Sequence, residues 1–405
     1  MSKRTVPSGT NSARTSGGTR QRPDRLTHIV GIGVDRMGSI ADAFGADVLR
    51  LENLDVDIPP DHEAILRTQR AAALDADNSY LPFVGQTQLR DAAARHVSLA
   101  SGVDYSGDRN CVISAGGLSG ILNVLLATIE VGDEVIVTDP TYVGLINRIR
   151  LVGATPKFAS LKFTPGSRWN LDRDAIRRVV GPKTRAMLLM SPSMPSGAYF
   201  DSQDWAVIAE ICVFHDLLLI LDAAMERLLF DGHPLIHPAA FRGMASRTIT
   251  VGSSAKELRM IGWRVGWIVG PEELMPDIIA VSLANVVVPV GIAQDAVATA
   301  LERSYVSIAE YVKELQARRD TVSQQLEGLP FGAPDGGWSL LLRLTDFGLD
   351  GERMSRRLLD YGICATAMTG WGEAHGAQYV RFVFANEPVS RLMLLGDRVR
   401  RALSL

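Results

Sequence analysis

The chain has 405 residues, 46% of them hydrophobic and 21% charged, with a formal net charge of −3. That is ordinary globular composition, enough for one large domain and a smaller one, and so even a charge balance argues against nucleic acid or an anionic membrane as the main partner. No apolar run reaches the roughly 18 residues of a membrane span, and Cys111, Cys212 and Cys364 lie far apart, so neither a disulfide framework nor a zinc site is expected and a reducing cytoplasm is the fitting compartment.

In chain order the first stretch differs from the rest. Residues 1–25 carry six Lys/Arg against one acid and almost nothing apolar. They predict a disordered basic tail rather than a transit peptide, which needs an apolar face. Residues 26–64 are assigned to a segment that completes a small domain. From about residue 65 to 300, short apolar runs alternate with helical patterns. "CVIS" leads through a glycine turn into "SGILNVLLATIE"; "DEVIVTD", "RAMLLMS", "LLLILD", "RTITVGS" and "RVGWIVG" follow, and "DSQDWAVIAEICVFHD" has helical spacing. Near-continuous apolar strands alternating with helices predict a three-layer α/β domain around a mostly parallel sheet. Beyond residue 300 the rhythm changes. "IAEYVKELQARRDTVSQQLEGLP" predicts one long helix ended by Gly328 and Pro330, followed by strands in "WSLLLRL" and "QYVRFVFA" and a helix at about 350–361. Residues 301–405 are thus read as a smaller α+β domain.

Candidate chemistry gathers at predicted strand ends, where α/β folds place ligands. "SAGGLSG", residues 114–120, joins a strand to a helix, and Gly116 and Gly117 permit a tight turn whose backbone N–H groups suit a phosphate. Strand–helix packing alone also explains such a turn. Asp222 ends "LLLILD", either as a helix cap or as the partner of a cationic ring nitrogen. In "SSAKELRMIGWRVGW", residues 253–267, Lys256 and Arg264 stand among apolar and small residues rather than on a solvated surface, and Arg264 falls in a run that predicts a strand. Ser253 and Arg264 could hold a phosphate, Arg264 through a charge-assisted contact, and a lysine beside such an anchor is placed to form a Schiff base. A phosphate cradle, a carboxylate, a lysine and an arginine together are what pyridoxal phosphate requires.

From about residue 45 onward the chain resembles the class I/II aminotransferases, fold-type-I enzymes that depend on pyridoxal 5'-phosphate. The S-x-x-K segment and the G-x-R stretch after it are similar to the family's, which implies that Lys256 is the Schiff-base lysine and that Ser253 and Arg264 bind phosphate. The resemblance gives Gly116, Gly117 and Leu118 the same phosphate through their amides. Tyr142 in "DPTYVGL" takes the ring-stacking role, and Asp222 that of the pyridinium partner. "SYLPFVGQTQLRDAAARHV" resembles the stretch whose tyrosine, here Tyr80, reaches the phosphate of a neighbouring subunit, which implies a homodimer. "GAQYVRFVFA" resembles the carboxylate-binding segment, which gives Arg381 the substrate α-carboxylate. The implied activity is transfer of an amino group between an amino acid and a 2-oxo acid, with a desolvated Lys256 shuttling the α-proton.

Two departures bear on the reaction. Where the family has an asparagine and a tyrosine that donate to the ring O3′, this chain has Met194 in "SPSMPSGAY" and Met225 in "DAAMERLLF". The change is either drift, with another group filling in, or a retuning toward elimination, cyclisation or oxidation in secondary metabolism. "LENLDVDIPP" also differs from the family pattern. It sets Glu52 and Asn53 near the substrate, where an acid favours a basic side chain, unless Glu52 is a surface-loop carboxylate. The histidines of "HPLIH", His233 and His237, have metal-like spacing, but Pro234 opposes helical presentation and the stretch is read as a loop; no metal is expected. A ligand-sensing regulator built on this fold needs an N-terminal DNA-binding domain, for which a 25-residue tail has no room. "GIGVDRMG" lacks the G-x-G-x-x-G spacing of a nicotinamide enzyme.

Overall fold

In a computed structural model of the chain, residues 23–45 and 47–404 are described. The tail expected over residues 1–25 lies outside the described residues up to residue 22; Asp24–Leu26 form one turn of 3₁₀ helix. Eight strands form the central sheet. They are β1 (Cys111–Ser114), β2 (Glu134–Asp139), β3 (Thr155–Lys162), β4 (Asn170–Leu171), β5 (Thr184–Leu189), β6 (Leu218–Asp222), β7 (Thr248–Ser253) and β8 (Gly266–Val269). Their order is β1-β8-β7-β6-β5-β2-β3-β4. The pairs from β7 through β6, β5 and β2 to β3 are parallel, while β8 runs antiparallel between β1 and β7. The inner strands are buried along nearly their whole length, which their unbroken apolar runs require. One face packs Ile121, Val124 and Leu125 of α1 (Gly117–Thr128) on Val112, Ile220 and Val251. The other packs Trp205, Ile208 and Phe200 on Leu219 and Leu221.

A second sheet of β9 (Phe331–Gly332), β10 (Ser339–Arg343), β11 (Thr366–Ala367) and β12 (Tyr379–Val383) is antiparallel, in the order β9-β10-β12-β11. The strand Leu49–Arg50 pairs in parallel with Ile363–Cys364. The long helix begins earlier than its sequence pattern suggested. It runs from Gly291 to Gln325, because the alanine-rich stretch before residue 308 continues it and buries Ala293, Ala296, Val297 and Ala300. The proposed division at residue 300 therefore passes through a continuous helix.

Arg264 corrects another expectation. It is not in a strand: Ile261–Trp263 form a 3₁₀ turn that Arg264 closes with φ 57° and ψ 45°, and β8 starts only at Gly266. The Ser254 N–H and hydroxyl both donate to the Val265 carbonyl, at 3.0 and 2.9 Å, which holds the turn closed. Gly266 is where three backbones meet. A Cβ there would lie 2.7 Å from the Gly116 carbonyl carbon, 2.7 Å from the Gly117 nitrogen and 2.8 Å from the Gly252 oxygen. No side chain can swing aside to relieve those contacts. Gly266→Ala should therefore cost about 3 kcal/mol of stability and push out the turn that opens α1. A urea midpoint equal to that of the parent chain would contradict this close approach.

Candidate active site

The strand ends of the central sheet converge on a cavity of about 210 Å³. Its lining includes Gly117 and Leu118 from the α1 turn, Tyr142, Asp222, Ser253, Lys256 and Arg264. Leu54, Met190, Met194, Met225 and Ile261 add an apolar wall. The sequence-derived residues from five separate segments thus meet in one place.

The α1 turn is shaped by close packing. Gly116 holds φ 94°, and a Cβ there would stand 2.6 Å from Arg264 Nη2. A Cβ on Gly117 would meet the Ser253 Cβ at 3.1 Å. Free N–H groups at the start of α1, the Ser253 hydroxyl and the Arg264 guanidinium therefore face one another at the positive end of a helix dipole, the usual setting for an anion. Arg148 supports this turn from behind, donating Nε to the Leu118 carbonyl at 2.6 Å. Arg148 was not foreseen, because its place in "NRIRL" looks like any helix surface.

Asp222 is the last residue of β6 and is 4% exposed. Burial pushes its carboxyl up to about 6, against the Ala224 N–H and the charges of Lys256 and Arg148. Lys256 sits three residues beyond β7, with its remaining exposure opening onto the cavity. Burial, reinforced by Arg381 and Arg264, lowers its amine to about 7, while Asp55 and Asp222 oppose the shift. Its Nζ donates to the Leu54 carbonyl at 3.3 Å. An amine of that kind is half unprotonated near neutral pH, as a nucleophile or a general base needs.

Arg381, in β12, is wholly buried, and burial lowers it to about 9. Its Nη2 donates to the Glu52 carbonyl at 3.1 Å and to Thr366 Oγ1 at 3.4 Å, while Nε and Nη1 have no partner. The guanidinium lies 4.6 Å from the centroid of the Trp371 ring, which in turn packs 5.2 Å from Tyr142. A desolvated cation with unpaired donors is a receptor for an anion such as a carboxylate. Asp139, at the end of β2, fixes the Trp371 loop by accepting the backbone N–H groups of Glu373, Ala374 and His375. The signal for Trp371 was its position between glycines in "TGWGE", ten residues before Arg381.

Other expected residues stand elsewhere. Glu52 is not a surface-loop carboxylate, being 1% exposed. Its side chain turns away from the cavity to accept from Arg50 Nε at 2.8 Å, so only its backbone oxygen serves Arg381. Asn53 is half-buried and, like Glu52, does not line the cavity; its neighbour Leu54 does. Tyr80 lies outside the cavity and is 81% exposed, edge-on to Phe83 and close in sequence to exposed Leu74. His233 stacks on Tyr199, whereas His237 is buried, faces Thr250 and caps the turn Pro238–Ala240. Among the described residues, no three potential metal ligands come together, and no helix is long and apolar enough to cross a membrane.

Lys256 carries a consequence for stability. Its amine binds a proton less tightly in the folded chain, at about 7, than in the unfolded one, at 10.5. Between those values the unfolded state holds the extra proton, so stability rises with pH. Replacing the lysine with an apolar isostere removes the burden of a buried ammonium. Lys256→Met should stabilise the cofactor-free chain by roughly 3 kcal/mol near pH 7 and several-fold less near pH 9.5. Urea unfolding of both proteins at the two pH values checks the sign, and a gain that grows with pH would refute it.

The sequence profile of the family described as "Aminotransferase class I and II" matches residues 47–393. The probable N-succinyldiaminopimelate aminotransferase of Mycobacterium tuberculosis is 31% identical over 383 residues, covering 89% of this chain and 95% of that protein. The arginine–pyruvate transaminase of Pseudomonas aeruginosa is 33% identical, covering 78% and 82%. The solved structure of N-succinyldiaminopimelate aminotransferase from Mycobacterium tuberculosis superposes with a TM-score of 0.85 at 29% identity, covering 95% of this chain and 98% of that one. The mostly parallel sheet, the small antiparallel sheet and these likenesses agree: the chain belongs to the class I and II aminotransferases, and it is a pyridoxal-phosphate-dependent transferase of the fold-type-I superfamily.

Proposed function

We propose that this enzyme moves an amino group between an amino acid and a 2-oxo acid, with Lys256 as the reacting amine. The observation that carries the reading is the Lys256 amine itself. It lines one cavity with the α1 turn, Ser253, Arg264 and Asp222, where burial lowers its pKa to about 7. The cradle fits the cofactor's phosphate: Gly116, at φ 94°, holds a conformation that other residues rarely adopt and lies against the Arg264 guanidinium, and Ser253, Arg264 and the N–H groups of Gly117 and Leu118 converge there. Asp222 fits the ring nitrogen and Tyr142 a ring face. Pyridoxal phosphate, when bound, supplies an aldehyde for the amine and a ring that draws electrons from the substrate's α-carbon.

The remaining steps belong to the protein. Arg381 binds the α-carboxylate through its unpaired Nε and Nη1, which orients the amino acid against Lys256. Lys256, once free, removes the α-proton and returns it. Asp222 remains largely ionised above its pKa of about 6 and holds the proton on the ring nitrogen. Exposed Tyr80 fits a contact across a homodimer, completing the partner's phosphate site, and the cytoplasm suits its three free, buried cysteines. Borohydride reduction followed by peptide mapping should place the pyridoxyl label on Lys256, and Lys256→Ala should abolish turnover. A label on a different lysine would overturn the assignment.

A second reading, a pyridoxal-phosphate lyase, cyclase or oxidase of secondary metabolism, is favoured by one observation. Met194 and Met225 line the cavity at 5% and 1% exposure, and thioethers cannot donate a hydrogen bond. Product analysis separates the two readings, since only transamination needs a 2-oxo acid to turn over repeatedly. Met225 also allows a spectroscopic prediction. A donor restored by Met225→Tyr should stabilise the ring's phenolate oxygen and weaken its hold on the neighbouring nitrogen's proton. The visible absorbance of the cofactor-bound chain should then titrate roughly one pH unit lower than in the parent. An unchanged or higher midpoint would mean that another group already serves that oxygen.

A further inference from the structure

Lys256 rests on an aromatic face instead of beside a carboxylate. Its Nζ lies 3.9 Å from the centroid of the Trp338 ring, well within the range at which an ammonium is drawn to an indole. The Leu54 carbonyl is its hydrogen-bond acceptor, and it forms no ion pair among the described residues; Arg381 and Arg264 disfavour its charged form and Asp55 and Asp222 favour it, all at longer range. Trp338 is itself held firmly. It is 2% exposed, its Nε1 donates to Tyr311 Oη at 3.1 Å, and its carbonyl accepts from the Phe384 N–H. Ser339, the next residue, is paired with Val383 between β10 and β12.

We propose that Trp338 is the platform on which the free Lys256 amine carries its proton, so that the indole face sets how readily that nitrogen takes a proton up and gives it away. The inference rests on the reading of Lys256 as the reacting amine. A carboxylate in contact would hold the ammonium charged and disable it as a base. An apolar wall would leave the ammonium without support and make it a poor acid. A π face with one carbonyl lies between these extremes, and it attracts the charged form without offering a proton acceptor. Near neutral pH the amine is then divided between its two forms, as burial and its neighbours dictate.

Packing alone would make Trp338 only a large core residue, so the test must change its electrons and keep its shape. The full chain loaded with pyridoxamine phosphate leaves Lys256 free. Competitive acetylation with trace acetic anhydride, read by mass spectrometry across pH, gives the titration midpoint of Lys256 against exposed Lys162. The chain is prepared with tryptophan and with singly and multiply fluorinated tryptophans, which withdraw π density in steps. Weakening the platform destabilises the ammonium, so the Lys256 midpoint should fall stepwise, by roughly one unit over the series. In Trp338→Phe the midpoint should start lower and stay flat, although the five other tryptophans are fluorinated in the same way. A flat series in the parent chain overturns the proposal, as does an equal slope in Trp338→Phe. If Trp338→Phe does not fold, the parent series alone decides. A pyridoxyl label on another lysine would instead remove the underlying reading of Lys256, whatever the midpoints show.

Discussion

The organising constraint is an excess of positive charge around one cleft, from buried Arg381 to Arg264 at its exposed edge. Among the residues lining the cavity, Asp222 is the sole acid, against Lys256 and Arg264. Arg381 and Arg148 stand close enough for their charges to be felt, Arg381 by Lys256 and Arg148 by Asp222. These cations repel one another: Arg381 and Arg264 each help lower Lys256, and Arg264 helps lower Arg148. Folding alone gains nothing from collecting them, since an unpaired buried charge costs far more than a typical contact returns. Anions relieve the repulsion. A phosphate at the α1 turn and a carboxylate at Arg381 would each supply the missing negative charge, so binding energy is stored in the arrangement before any ligand arrives.

Holding such a site requires a scaffold that does not yield, and glycine provides it. Gly116, Gly117, Gly252 and Gly266 bring α1, β7 and β8 into backbone contact. That contact lets Arg264 reach under the α1 turn from a left-handed residue. The small sheet contributes the other half. Arg381 on β12 and Trp338 at the entry to β10 both act on Lys256, and Asp139 ties the Trp371 loop to the end of β2. The two sheets are therefore joined at the site by backbone N–H groups donating to a carboxylate, which is directional, as well as by packing.

Much of this was legible in the sequence, for identifiable reasons. Strands covered on both faces have unbroken apolar runs, so the central sheet is readable from composition along the chain. Lys256, Asp222 and the Gly116–Gly117 turn sit at fixed offsets from those strands and were locatable with them. What escaped depends on direction rather than identity. Arg264 looked like a strand residue because Trp263 and Val265 are apolar, yet the turn is dictated by Ser254 bonding to Val265, a contact between segments. Glu52 was placed by its neighbours in sequence, but its carboxylate pairs with Arg50, and the group that Lys256 reaches is the backbone carbonyl of Leu54. Trp338 and Arg148 act only through tertiary contacts, which no local pattern encodes.

The cavity is asymmetric in a way that bears on its chemistry. Its charged side is built from the strand ends and the α1 turn, where every polar group has a definite direction. Its apolar side is built from Met190, Met194, Met225, Leu54 and Ile261, of which the methionines are flexible and polarisable. A ligand is thus gripped at its anionic ends and left without hydrogen bonds along one flank. Along that flank the protein offers no side-chain donor, because thioethers and aliphatic groups cannot donate a hydrogen bond. The titratable side chains that line this cavity are few, with Asp222 the acid and Lys256 the amine, and the amine rests on the face of Trp338.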